Sequence, residues 1–108
     1  MCTSEPSRRA AVDFPREQRS LSAQLTELKS SIDVDLAKAE EQLATSNSDG
    51  QQRMERVNRA LLREKGEVQK AIQNVNNATE VKWASVKKEA KYTLDDTRRT
   101  CYKLEKNL

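Results

Sequence analysis

The chain has 108 residues, and its 20 Lys and Arg stand against 17 Asp and Glu, leaving a formal net charge of only +3. That length supports one domain rather than two cores, and the near balance of charge excludes self-repulsion as a reason to stay unfolded. Two Gly, two Pro and 4% aromatic residues exclude a sheet protein, which needs turn residues and large strand formers, and point to an all-α fold.

Residues 1–14, with Ser4, Pro6, Ser7 and scattered charges, lack sustained periodicity and read as a disordered N-terminal tail. Pro15 suits the first turn of a helix expected over 15–46. Along it Leu21, Leu25, Leu28, Ile32, Leu36, Ala39 and Leu43 recur every three or four residues, which places them on one face. Ser31, Asp33 and Asp35 lie beside that face and are expected in water.

Thr45-Ser46-Asn47-Ser48-Asp49-Gly50 gathers residues that end one helix and cap the next, so a turn is expected at 47–50. Ser48 with Gln51, or Asp49 with Gln52, has capping-box spacing. A short loop between long helices makes an antiparallel hairpin.

The second helix is expected over 51–107. Its stripe comprises Met54, Val57, Leu61, Val68, Ile72, Val75, Thr79, Trp83, Val86, Ala90, Leu94, Thr97, Cys101, Leu104 and Leu108, with a charge only at the Lys65 position. The spacing averages about 3.6 residues, the helical repeat. Residues 74–79 are the weak point, because Asn74, Asn76 and Asn77 are poor helix formers and Asn77 with Glu80 could cap a new helix. The unbroken phase favours one long helix, and a break at 74–79 is the alternative, giving a three-helix arrangement.

An unbroken second helix would extend about 85 Å against about 45 Å for the first, leaving about 40 Å of stripe uncovered. The uncovered part carries Trp83, Val86, Leu94, Cys101, Leu104 and Leu108, the expected partner-binding stripe. Either the chain folds back near Asn76, or a second copy or partner helix covers it.

Charge divides by segment: residues 21–50 carry two basic and six acidic residues, 51–79 six and three, and 80–108 eight and five. The first helix is acidic, so Glu27, Glu40 and Glu41 are expected to meet Arg53, Arg56, Arg59 and Arg63 across the hairpin. The last segment keeps a basic face of Lys87, Lys88, Lys91, Arg98, Arg99 and Lys106, with Tyr92 among them, suited to an acidic partner helix or an anionic membrane surface.

The sequence has no His, and no dinucleotide, nucleoside-triphosphate or zinc-protease motif. A non-catalytic protein is expected, without cofactor, metal or small-molecule substrate. Cys2 and Cys101 lack the spacing of a metal or redox pair, and Cys101 reads as a small buried hydrophobe. With no apolar run longer than three residues, a cytoplasmic location is expected.

Leu62-Arg63-Glu64-Lys65, followed by Asn77-Ala78-Thr79-Glu80-Val81-Lys82-Trp83-Ala84-Ser85-Val86-Lys87, resembles small bacterial coiled-coil proteins of stress-associated or unassigned function. The resemblance covers about half the chain and implies a helical cytosolic protein without a catalytic site; only Trp83 carries over as a binding residue. Three functions follow as expectations. The leading one is a coiled-coil scaffold that self-associates or binds a partner through the stripe. The second is a lipid-surface or stress-protective protein, resembling exchangeable apolipoproteins or late-embryogenesis proteins in composition. The third is weak nucleic-acid binding by the basic face.

Overall fold

The structure, a computed structural model, describes the backbone of residues 5–108 and the side chains of residues 13–108. Three helices account for nearly all of it: α1 over Glu5–Thr45, α2 over Ser48–Asn76 and α3 over Trp83–Glu105. There is no strand among the described residues, and the all-α architecture is the one that the composition requires.

The helices run up, down and up in a rod measuring 70 × 18 × 15 Å. Hydrogen bonds fix the alignment at both ends: Gln18 Nε2 donates to the Val75 carbonyl at 2.8 Å, and Gln42 Nε2 donates to the Leu108 carbonyl at 2.7 Å. The core between the helices is a single column. Leu21, Leu25 and Ile32 of α1 meet Leu61, Val68 and Val75 of α2 and Trp83, Ala90 and Leu94 of α3.

Of the two chain paths that the sequence leaves open, the molecule takes the broken one. Residues 77–82 form a turn, closed by Ala78 N–H to Val75 O at 3.3 Å, Lys82 N–H to Thr79 O at 3.2 Å and Trp83 N–H to Glu80 O at 3.3 Å. Asn77 caps the end of α2 rather than the start of α3, with its N–H on the Gln73 carbonyl at 3.0 Å. Phase continuity misleads here for a physical reason. Both arms of a hairpin bury their apolar residues in one core, so a stripe can keep its count across a reversal. Thr79, counted in the stripe, is exposed in the turn.

The turn between α1 and α2 is tighter than expected, with only Ser46 and Asn47 outside the helices. Asn47 is the cap in place of Ser48 or Asp49, and its Oδ1 accepts from Gly50 N–H at 2.9 Å. A Cβ on Gly50 would stand 2.9 Å from Ser46 Cβ, so the tight crossing requires glycine there.

At the N-terminal end, α1 starts at Glu5, and the tail expected over 1–14 is helical from that residue on; residues 1–4, Cys2 among them, lie outside the described residues. Pro15 therefore lies inside α1, where it supplies no N–H donor. Phe14 offsets that loss by packing its ring on Trp83, with centroids 5.4 Å apart and planes at 58°.

Candidate interaction face

The six residues of the expected partner-binding stripe are inside the bundle. Trp83, Leu94 and Cys101 are buried, while Val86, Leu104 and Leu108 are half-buried against the core. The uncovered overhang does not exist, because α3 folds back onto α1 and α2 and the chain supplies the cover itself.

Trp83, only 6% exposed, ties the far end of the rod together. Its indole Nε1 donates to Glu17 Oε1 at 3.4 Å, and Glu17 forms an ion pair with Lys87. The hydrogen bond from Lys87 is the largest of the influences that hold the Glu17 carboxyl below its ordinary value. The tryptophan is thus an internal anchor whose polar edge is also satisfied.

Nearer the other end, polar side chains interrupt the core. Thr97 Oγ1 donates to Glu64 Oε2 at 3.1 Å, and both residues are buried. Asp35, expected in water, is only 5% exposed, and its Oδ2 meets no donor among the described residues. Hydrogen bonding with Asp35 is the main reason the neighbouring Glu105 carboxyl is pushed up, followed by burial and by the charge of Asp35, with Lys38 acting against them. The Cys101 thiol is pushed up to about 11, first by burial and then by the charges of Glu64, Asp35 and Glu105. A thiol of that kind stays protonated near neutrality and is a poor nucleophile. No group of three or more His, Cys, Asp or Glu among the described residues is placed to hold a metal ion.

Glu64 was legible only by spacing, since it lies three residues after Leu61 and four before Val68. Lys65, the charge expected within the stripe, turns aside and pairs with Asp33 at 2.8 Å. The expected bridges from Glu27, Glu40 and Glu41 to the arginines of α2 do not form; the described residues hold two salt bridges, Lys65–Asp33 and Lys87–Glu17.

The basic face stands where the spacing puts it. Lys88, Lys91, Arg98, Arg99 and Lys106 are exposed and make no salt bridge with a described residue, whereas Lys87 is half-buried on Glu17. Among them Tyr92 is 67% exposed and Tyr102 63% exposed, and Lys106 Nζ sits 4.8 Å above the Tyr102 ring.

The chain matches no family model, no curated protein and no solved structure. What the bundle leaves outside therefore carries the functional argument. Among the described residues no helix is long and apolar enough to cross a membrane. The outward features are the charged flanks and the tyrosines of α3.

Proposed function

We propose that the chain is a non-catalytic interaction protein, a monomeric three-helix rod that recognises another macromolecule with its solvent-facing surface. The observation that carries this reading is the outer side of α3, where five basic side chains stand exposed without an ion pair among the described residues. Leaving so many like charges close together costs stability through repulsion, and a binding role is a reason to keep them. The apolar stripe supports a different part: it is spent on the core, so recognition passes to the surface and self-association through that stripe is no longer favoured.

The absence of His from the sequence and the high pKa of the buried Cys101 thiol support a protein that binds without chemistry. Cys101, free and reduced, also supports a cytoplasmic setting. The resemblance to small bacterial coiled-coil proteins of stress-associated or unassigned function is part of the same proposal, on Leu62–Lys65 and Asn77–Lys87 quoted above.

Site-directed photo-crosslinking in the cells that make the protein tests it. A benzophenone amino acid is placed in turn at Ala37 of α1, Arg59 of α2 and Asp95 of α3, all exposed. A discrete adduct from at least one face is expected. No adduct from any of the three positions would overturn the interaction role.

A further inference from the structure

Along the outer side of α3, Lys88, Tyr92, Asp95, Arg99, Tyr102 and Lys106 follow one another at intervals of four, three, four, three and four residues. That is the seam spacing of a coiled coil, here on a face turned to solvent instead of to the core. All six residues are exposed, and the row extends about 27 Å along the helix. A seam of this spacing is ordinarily apolar; this one has tyrosines at two places and positive charge at three.

We infer that this row is a docking seam for an acidic amphipathic helix of another protein, laid lengthwise on α3. The inference rests on the interaction role proposed above and names its face and partner. Three features select the occupant. First, the seam spacing matches the side-chain rows of a helix rather than those of an extended peptide. Second, Lys88, Arg99 and Lys106, flanked by Lys91 and Arg98, call for carboxylates on the partner. Third, Tyr92 and Tyr102 supply flat, amphipathic contact area at low entropic cost, as binding surfaces commonly use tyrosine. Each tyrosine also stands beside a groove. Tyr92 borders one between α2 and α3 of about 620 Å³, which Ala71 and Val86 also line, and Tyr102 borders one between α1 and α3 of about 310 Å³. The groove beside Tyr92 gives apolar side chains of the docked helix a place to go, while the one beside Tyr102 is lined mostly by polar side chains, Gln24, Glu27, Ser31 and Glu105 among them.

Other occupants fit less well. Asp95 stands in the middle of the row and would repel a continuous phosphate track, which weighs against nucleic acid. A membrane-surface helix needs a broad apolar face to insert, and the apolar side chains of α3 other than the tyrosines are mostly turned into the core. A second copy offers exposed carboxylates on α1, Glu27, Glu40 and Glu41, but the apolar side of that helix is already spent on its own core, so it brings no apolar row to meet the tyrosines.

The test uses the full chain and a fluorescent acidic peptide designed as an amphipathic helix, glutamates flanking a Leu/Ala seam, followed by anisotropy. Saturable binding that weakens with salt is expected. Y92A/Y102A, which leaves net charge unchanged, should weaken it by about tenfold or more, as loss of two central aromatic contacts does. K88E/R99E should abolish it, while circular dichroism of both variants stays that of the parent because the replaced residues are exposed. The inference is overturned if the peptide fails to bind, or if the tyrosine variant binds as well as the parent. It is equally overturned if phosphatidylglycerol vesicles or duplex DNA bind more tightly than the peptide, or if the chain forms dimers that the tyrosine variant dissolves. Crosslinks from Ala37 or Arg59 alone would leave an interaction role standing while removing this seam, so the two failures are separable.

Discussion

At the scale of single residues, Trp83 and Glu105 make opposite kinds of demand on the fold. Trp83 fills the gap left where α2 turns into α3, touches the Phe14 ring and satisfies its own N–H on Glu17. Truncation to alanine should cost about 3–5 kcal/mol, the usual loss for a large aromatic core side chain. Trp83→Phe keeps an aromatic ring against Phe14 but loses the hydrogen bond and the volume of the second ring, so it should cost less than the alanine change, about 1–3 kcal/mol. Urea denaturation followed by circular dichroism measures both, and equal losses would contradict the packing role. Glu105 acts through its proton. Its folded-state pKa is raised above the ordinary value of 4.5, so above that value the folded chain holds a proton that the unfolded chain has released. Its contribution is complete below pH 4.5 and falls as pH rises through the raised value. Thermal denaturation of Glu105→Gln across this window should show a flatter decline than the parent. Glu17 works in the other direction, because its lowered pKa gives stability that is lost as pH falls below its ordinary value, so the two effects occupy different windows.

At the scale of helices and turns, much of the molecule is legible in the sequence, and the failures have identifiable causes. The faces of α1 and α2 and the turn near Asn47 follow from spacing and capping chemistry. The sequence marks 74–79 as the place for a break but does not decide for the reversal at 77–82, since it is built without glycine or positive φ, from successive i→i+3 turns that any polar stretch can adopt. Asp35, expected in water, is buried for the same reason. Its burial comes from α3 lying over it, and α3 lies there only because of the reversal. The exposure of the basic residues other than Lys87 follows from spacing, because it needs no tertiary information, whereas the burial of the six stripe residues depends on the same turn. The continuous-helix path remains a physically sensible alternative packing, reached by straightening residues 77–82. Replacing Asn76, Asn77 and Thr79 with alanine raises helix propensity there and removes the Thr79 Oγ1 acceptor of Lys82 N–H. The triple variant should populate a domain-swapped dimer in which α2 runs into α3 and each α3 packs on the other copy. Size-exclusion chromatography with light scattering distinguishes this outcome; an unchanged monomer would mean that the reversal is held by the core rather than by the turn.

At the scale of the whole molecule, the decisive property is that the apolar faces of the described residues find their cover within one chain. α1, at 41 residues, is about 61 Å long, and it serves as a rail for α2 and α3 at once, which a two-helix hairpin could not achieve. Packing α2 and α3 side by side on a rail of that length gives a narrow rod with a radius of gyration of 18.1 Å, larger than the roughly 13 Å expected for a spherical domain of about 100 residues. A thin rod exposes much surface for its mass, so its core is a single column and its margin of stability is small. Its surface in turn is charged nearly everywhere, with Val34, Leu62, Val81, Tyr92 and Tyr102 as the exposed large apolar residues. Val81 lies at the α2–α3 turn, and Val34, Leu62 and the tyrosines are distributed over all three helices, so among the described residues no broad greasy patch demands a second copy. The expected behaviour is therefore a monomer whose helicity does not change on dilution. Light scattering should return the mass of one chain, 12.3 kDa, at every concentration tried, and small-angle scattering should show the elongated profile of a rod. If the mass instead doubles with concentration while helicity rises, the apolar faces are being shared between chains, as the swapped arrangement would require, and the self-contained bundle would have to be abandoned.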